Sequence, residues 1–222
     1  QQLPGLSLAL MALLLALSAN IGVGTMVESF RLTFIGWTDQ RLVSDLYVTA
    51  EDEGDIEALV AFLEPRSQGV LPIWHVDREV FGAPAEIYGV VDHPIYEENW
   101  PLLATAQNGL DRLAAGDGAF INEQMARRED LSPGDPITLD GWETVILGVY
   151  SDYGNPSGQV VVSVDALTSR FDNIDRSDFG VITEDTAALR ATLVEEFGLP
   201  DDNMIDQKAL KAFSIAIFER TF

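Results

Sequence analysis

The chain opens with a continuous hydrophobic segment. Residues 6–27 carry no charge, and Glu28 is the first charged residue. A bilayer core of roughly 30 Å needs about 20 apolar residues in a helix, so this segment is long enough to span it. Beyond it, Phe30, Phe34 and Trp37 continue at spacings of three and four, which is typical of an apolar stripe on a helix. We therefore predict one helix from Leu6 to Trp37.

Three interpretations of this helix compete. A buried core helix would need a larger protein around it. A cleaved signal peptide is favoured by the small residues Ala16 and Ser18 but opposed by the missing basic leader. A membrane helix that continues as a stalk is favoured by the apolar stripe, because 32 residues span about 48 Å, some 18 Å more than the bilayer. Gly22 and Gly24 would let a neighbouring helix approach closely.

The other end of the chain repeats this pattern. Between Gln207 and Phe222, the apolar residues Leu210, Phe213 and Ile217 form a second helical stripe that still continues at the last residue. We expect a second stalk helix that returns to the membrane and is followed by a further membrane helix. The positions expected to pack in the stalks are Phe30, Phe34, Trp37, Phe213 and Ile217.

Two strand-helix-strand sets lie between the stalks. The first set consists of strands at 45–50, 69–76 and 85–91, with a helix from Ile56 to Glu64 that Asp55 caps and Pro65 ends. The second set consists of strands at 179–183 and 203–206, with a helix at 186–197 that Gly198 ends. We expect the two sets to pair into one α/β layer.

The middle of the chain has a different character. It combines a predicted helix at 102–114 and a short helix at 123–130 with predicted strands at 118–122, 143–152 and 159–164. A Pro-Gly turn lies in the segment LSPGDPITL. This density of strands and turns predicts a β-rich subdomain inserted into the first.

Composition excludes several classes of function. The chain has 36 Asp and Glu against 13 Lys and Arg, a net charge of −23 at pH 7. Such a field repels phosphate, so we expect no nucleic-acid partner. The acidity is typical of a solvated surface, and an acid-mediated binding role is the alternative. The absence of Cys excludes disulfides, thiolate nucleophiles and Cys-ligated zinc.

The sequence predicts no catalytic, cofactor or metal site. It contains neither a Walker loop nor a G-x-S-x-G motif, so we expect ATP to bind a partner subunit. The two histidines, His75 and His93, lack a His partner three or four residues away, and the acidic clusters lack the order of a calcium loop. The loop SDYGNPSG offers Tyr153 and Asn155 for contact with a partner protein, although Tyr153 would equally pack on its own strands.

Four segments resemble FtsX-like permeases, the group that includes MacB and LolC. They are SANIGVGTMVESFRLTFIGWTDQRLVSDLYV, AFINEQMARREDLSPGDPITL, GVYSDYGNPSGQVVV and AFSIAIFERTF. The resemblance implies an α+β fold, in which a porter-like α/β layer carries an inserted β-rich, sabre-like subdomain and is flanked by N- and C-terminal stalk helices. The implied parts are a membrane helix and stalk at 1–44, the porter-like halves at 45–93 and 168–207, the sabre-like subdomain at 94–167, and the returning stalk at 208–222.

The resemblance also implies a function. The chain would be the extracytoplasmic domain of a permease subunit in the cytoplasmic (inner) membrane, and not itself an enzyme. The implied partners are a separate ABC ATPase subunit, a second permease subunit that completes a dimer, the lipid bilayer and a periplasmic partner protein. Family members handle lipids, lipoproteins, peptides and drugs, and the sequence does not choose among them. The alternative is a secreted or singly anchored acidic binding domain without an ATPase partner.

Overall fold

The computed structural model describes residues 3–152 and 155–221 and has an α+β fold. The α-helices in this part of the chain are α1 (Leu3–Arg41), α2 (Ile56–Leu63), α3 (Pro94–Asn99), α4 (Gly109–Ala114), α5 (Glu123–Glu129), α6 (Val164–Arg170), α7 (Thr186–Thr192) and α8 (Gln207–Thr221). Short 3-10 turns occupy Glu53–Asp55, Glu64–Arg66 and Asp201–Asn203, and a π-helical turn at Leu193–Phe197 extends α7.

The strands of the same residues are β1 (Leu46–Thr49), β2 (Gly69–Pro72), β3 (Trp74–Val80), β4 (Ala83–Val90), β5 (Leu102–Thr105), β6 (Ala119–Asn122), β7 (Pro136–Leu139), β8 (Trp142–Tyr150), β9 (Gly158–Ser163), β10 (Asp178–Ile182) and β11 (Met204–Asp206). They form two sheets. The four-stranded sheet has the order β11-β1-β10-β2, and the seven-stranded sheet has the order β3-β4-β9-β6-β8-β5, with β7 also paired to β8.

The N-terminal helix is long, and its apolar stretch is exposed. Its 39 residues span about 58 Å, so the single predicted helix is confirmed and is longer than Leu6 to Trp37. The stretch Leu10–Arg41 is apolar enough to cross a membrane, with a mean hydropathy of 2.0, and none of its most apolar window is buried. The interpretation of this segment as a buried core helix is therefore wrong.

The four-stranded sheet and its helices form what we call the small-sheet unit, made of β1, α2, β2, β10, α7 and β11. Every pair of neighbouring strands is antiparallel, and the order is that of a split βαβ fold in which two strand-helix-strand halves interleave. Leu46 and Val48 of β1 alternate onto the face that α2 and α7 cover, where Leu59 and Leu189 are buried against them. The predicted pairing of the two sets into one α/β layer is confirmed for β1, β2, β10 and β11, whereas the predicted strand at 85–91 belongs to the other sheet.

The seven-stranded sheet belongs to an insertion between β2 and β10, which we call the large-sheet unit (residues 74–175). Its central strands are buried on both faces, as alternating residues show. Ile121 and Val160 contribute to one core with α5 and α6, whereas Phe120 and Val161 contribute to another core on the opposite face with α4. Burial on both faces explains why residues 119–121 of β6 and 160–162 of β9 are all apolar.

The chain enters and leaves the large-sheet unit at adjacent points. Ile73 N donates to Asp178 O at 2.9 Å, and His75 and Asp175 exchange backbone hydrogen bonds of 3.1 and 2.8 Å. Trp74 packs against the cores of both units, and the Arg176 guanidinium lies 5.3 Å from its ring centroid. The two crossings are therefore bonded to each other.

The structure corrects several predicted elements. The predicted strand at 69–76 breaks at Ile73, because its two halves pair in different sheets. Residues 74–90, which the resemblance places in the porter-like part, belong by strand pairing to the large-sheet unit. The predicted helix at 102–114 is wrong over Leu102–Thr105, which pairs with β8.

The predicted helix cap at Asp55 is also wrong. Asp55 precedes α2 but makes no side-chain capping hydrogen bond, since a 3-10 turn leads into the helix there. Helices α3 and α6 were not predicted.

Candidate functional site

The two terminal helices leave the small-sheet unit side by side. Strands β1 and β11 are antiparallel neighbours, and Leu46 pairs with Asp206. The start of β1 and the end of β11 therefore lie at one edge of the sheet, which places the end of α1 next to the start of α8. Lys211 Nζ of α8 lies 2.9 Å from Asp39 Oδ1 of α1. We call residues 28–41 of α1 together with α8 the stalk pair.

Asp45 ties both helices to the small sheet. Its backbone N–H donates to Val181 O at 3.0 Å, and its carboxylate accepts from Thr183 N at 3.0 Å. Its carbonyl accepts from Gln207 N, also at 3.0 Å, while the Gln207 side chain donates to Leu42 O. The root of the stalk pair is thus bonded to the small sheet through both backbone and side-chain groups.

A second connection joins α1 to the large-sheet unit through side chains. Arg41, the last residue of α1, lies 3.4 Å from Gln159 Oε1 and 3.9 Å from Asp152 Oδ1, both through Nη2. Gln159 also donates to Glu86 Oε2 at 2.7 Å and accepts from the Tyr150 hydroxyl at 3.1 Å. We call Arg41, Glu86, Tyr150, Asp152 and Gln159 the Arg41 junction. It connects α1 to β4, β8 and β9.

The junction keeps an acidic group inside the protein. Asp152 is 1% exposed, and its carboxylate accepts from Asn122 Nδ2 at 3.3 Å and from Asn155 Nδ2 at 2.9 Å. A buried carboxylate needs hydrogen bonds and a cation to remain charged, and the Arg41 guanidinium is the cation that faces it. Asn122 also caps α5 by accepting from Met125 N at 3.1 Å. The carboxylate is therefore fixed from three directions.

Burial also sets the acidity of the tyrosines in this region. Burial raises the pKa of Tyr150 far above its ordinary value of 10.0, although the nearby Arg41 opposes the rise. Burial, with the Glu86 carboxylate, raises the pKa of Tyr88 to about 12. Both hydroxyls therefore stay protonated at neutral pH and donate, Tyr150 to Gln159 and Tyr88 to Glu86 at 3.3 Å.

The predicted stalk residues lie where the pattern places them, on α1 and α8. In the single chain the side chains of Phe30, Phe213 and Ile217 are 41%, 62% and 50% exposed, and Phe34 is half-buried. The Trp37 side chain lies outside what the structure describes. Whether these five positions pack against a neighbouring helix stays a prediction.

The predicted partner loop is only partly described. Tyr153 lies outside the described residues. Asn155 donates to Asp152 and accepts from Ser157 N at 3.0 Å, so its side chain holds the loop onto the Arg41 junction. Contact of this loop with a partner protein stays a prediction.

The two histidines have structural roles in this fold. His75 in β3 stacks on Tyr88 with ring centroids 5.1 Å apart. His93 caps α3, because its side chain accepts a hydrogen bond from Ile95 N at 3.2 Å. Its ring also packs on Gly69, and a Cβ added to Gly69 would lie only 2.9 Å from His93 Nε2. Residues 3–152 and 155–221 contain no group of three or more His, Asp or Glu side chains placed to hold a metal ion.

Sequence reasoning missed the junction residues. Each is a single polar residue in the sequence, and its partners are distant: Arg41 is 118 positions from Gln159, and Gln159 is 73 positions from Glu86. The only local signal was a basic residue in the last turn of α1, a favourable position at the negative end of a helix.

Comparison with known proteins places the chain among transporter domains. Residues 6–195 match the family described as MacB-like periplasmic core domain. An uncharacterized ABC transporter permease protein of Mycobacterium tuberculosis, Rv0987, is 26% identical over 250 aligned positions. The alignment covers 97% of this chain and 28% of that relative, so the chain spans little more than a quarter of the relative's length.

One solved structure shows the same fold. The periplasmic region of MacB from Actinobacillus actinomycetemcomitans superposes with a TM-score of 0.53 at 13% identity, over 76% of this chain and 90% of that chain. The extracellular domain of the transporter YknZ from Gram-positive bacteria superposes with a TM-score of 0.48 at 15% identity, over 73% and 98%. The likeness to the MacB region confirms the α+β architecture.

Proposed function

Because the chain belongs to the family of MacB-like periplasmic core domains, we propose that it is the extracytoplasmic domain of an ABC transporter permease subunit, with its first membrane helix. In this proposal α1 anchors the domain in the cytoplasmic (inner) membrane. A separate ATPase subunit binds and hydrolyses ATP, and a second permease subunit completes a dimer. The cargo belongs to the lipids, lipoproteins, peptides or drug-like molecules that the family resemblance implies.

The observation that carries this proposal is the stalk pair. Two helices that leave one sheet edge next to each other, one of them apolar enough to span a bilayer, form a lever between a membrane and an outer domain. A secreted or singly anchored binding domain needs one anchor and gains nothing from a second helix beside it. The paired helices therefore favour transport over binding alone.

The contacts suggest how such a lever acts on the domain. A shift of α1 or α8 reaches the small-sheet unit directly, because Asp45 and Gln207 bond the helices to β1 and β10 through backbone groups. The same shift reaches the large-sheet unit through the Arg41 junction and through the bonded crossings at Ile73 and Asp175. Movement of α1 relative to α8 would thus rotate one unit against the other.

Reversible crosslinking of the stalk pair tests the proposal. Asp39→Cys and Lys211→Cys, introduced into the full-length protein with any other cysteines replaced by serine, place two thiols where the ion pair now lies. We expect an ABC ATPase to co-purify from the native membrane. A cleavable bis-maleimide should lower the ATP turnover of that complex at least fivefold, and reduction of the linker should restore it.

The single variant Asp39→Cys, treated with the same reagent, is the matched control and should keep its ATP turnover. Full ATP turnover in the crosslinked complex would contradict the lever. Failure of any ABC ATPase to co-purify would instead favour the acidic binding domain.

A further inference from the structure

A cavity lies beside the Arg41 junction where the three parts of the molecule meet. It has a volume of about 240 Å³ and is bounded by the end of α1, the link between β2 and β3, strands β4, β8 and β9, and α3. Its walls are largely apolar and aromatic, and the aromatic side chains are Tyr88, Tyr96, Trp100 and Tyr150. Such a cavity, apolar with a few polar groups, has the character of a small-molecule site.

The charged side chain that lines this cavity is basic, in contrast to the acidic composition of the chain. Arg41 is the one charged side chain among the described residues that line it, although acids outnumber basic residues 36 to 13 in the sequence. The carboxylates of Glu86 and Asp152 lie behind Gln159 and Arg41 and do not line the space. A ligand inside the cavity therefore faces a positive group.

Arg41 has capacity for a further acceptor. A guanidinium carries five N–H donors, and the contacts of Arg41 with Gln159 and Asp152 are long, at 3.4 and 3.9 Å, and share Nη2. Its planar fork fits a carboxylate in a bidentate arrangement. Tyr96 and Trp100, whose ring centroids lie 5.2 Å apart, line the same cavity.

We propose that this cavity binds a small amphipathic carboxylate, with the carboxylate on Arg41 and the apolar part against Tyr96 and Trp100. A cavity of about 150 Å³ holds benzene, so 240 Å³ accommodates a ligand of roughly ten non-hydrogen atoms. The inference rests on the cavity and its charge and does not depend on the proposed transport function.

The position of the cavity gives such a ligand a mechanical effect. Val43 follows α1, Ile73 lies in the crossing between the two units, and Val90 ends β4 of the large-sheet unit; all three line the cavity. An occupant in contact with all of them opposes any rotation of the two units about the end of α1. We therefore expect the ligand to stabilise the arrangement described above.

A matched pair of probes tests the proposal. The first probe is 3-phenylpropionate and the second is its neutral, nearly isosteric amide, 3-phenylpropanamide. Titration of the full chain in lipid nanodiscs, followed by calorimetry and by tryptophan fluorescence, should show at least tenfold tighter binding of the carboxylate. With Trp37 replaced by Phe in every sample, the fluorescence change should vanish in Trp100→Phe, because Trp74 and Trp142 pack against the core and do not line the cavity.

Variants separate the site from non-specific binding. Arg41→Gln should remove the preference for the carboxylate, whereas Arg41→Lys should retain part of it. The matched control is Arg127→Gln, at an exposed arginine on α5, which should leave both affinities unchanged. Val43→Trp should fill the cavity and abolish binding of both probes.

Three results would overturn the proposal. They are equal affinity for the acid and the amide, an unchanged preference in Arg41→Gln, and no saturable binding at roughly 10 mM probe. Melting of each variant without ligand shows whether it is folded, and the comparison of Arg41→Lys with Arg41→Gln keeps the test valid if the glutamine variant is destabilised.

Discussion

The small-sheet and large-sheet units differ in how they are attached to the stalk pair. The small-sheet unit is continuous with both helices, and the backbone groups of Asp45 join it to β10 and to the first residue of α8. The large-sheet unit is joined to α1 by the side chains of the Arg41 junction. Backbone hydrogen bonds fix a relative position, whereas a side-chain network can rearrange by rotamer changes.

Under the proposed transport function, this difference predicts different roles for the two units. We expect the large-sheet unit, which the Arg41 junction and two adjacent crossings hold, to turn more readily than the small-sheet unit when the stalk helices shift. The separate cores of the two units are consistent with this division, since Trp74 is the shared side chain between their buried clusters.

The sharpest test of separate cores is to make a cavity in each. Phe179 lies in the small-sheet core and Phe120 in the large-sheet unit, and both are fully buried. We expect Phe179→Ala and Phe120→Ala each to lower the free energy of unfolding by about 3–5 kcal/mol. Hydrogen exchange should then rise in β1 and β10 for the first variant and in β6 and β9 for the second.

Leu103→Ala is the control for these truncations, because Leu103 is exposed on the edge strand β5 and should change stability by less than about 0.5 kcal/mol. A uniform rise in exchange across both units in either variant would mean one cooperative core, which contradicts the division drawn above.

A smaller effect is expected from alkaline pH. Burial raises the pKa of Tyr47, in the small-sheet unit, to about 12, and raises that of Tyr150 further. A group with a raised folded pKa contributes stability that is complete below its unfolded value of 10.0 and is lost as the pH rises through the folded value. The free energy of unfolding should therefore fall from about pH 10 upward.

Tyr150→Phe sharpens this comparison between units. This variant should lower the free energy of unfolding by about 1 kcal/mol at pH 7, because the hydrogen bond to Gln159 is lost. Above pH 10 it should also reduce the rate at which the free energy of unfolding falls with pH. Urea unfolding between pH 8 and 11 measures both quantities. Tyr47→Phe should reduce the same slope without affecting the Arg41 junction, and an unchanged slope in both variants would exclude these tyrosines as its cause.

The smallest effect concerns the ion pair between Lys211 and Asp39. Both groups are solvent-accessible, so Lys211→Gln should lower the free energy of unfolding by no more than about 1 kcal/mol, and by less at high salt. We expect faster hydrogen exchange in the first turns of α8 and no change in the large-sheet unit. Lys208→Gln, at an exposed lysine on the same helix, is the matched control; an equal effect of both variants would show that only the helix charge matters.

The small-sheet unit could be predicted because its signals are local. Ile56, Leu59 and Leu63 recur at helical spacing, and Gly198 takes the left-handed conformation, with a φ of 85°, that ends the helical segment after α7. The adjacent stalks could also be predicted, since both chain ends carry a helical stripe and α1 and α8 do meet.

The large-sheet unit was harder to predict because its elements depend on distant partners. The residues LLAT at 102–105 suit a helix, but pairing with Tyr150 and Gly148 of β8 makes them a strand. The break at Ile73 has no local signal beyond Pro72, because it exists only to let β2 and β3 join different sheets. The Arg41 junction is likewise a property of the folded chain.

The hydrogen-bonded crossings beside Trp74 also bear on whether the insertion can be removed. His75 and Asp175 already face each other as an antiparallel pair, so a two-residue hairpin turn can join the strands there without stretching the small sheet. We therefore expect that a chain shortened in this way keeps the four-stranded sheet and its order of strands.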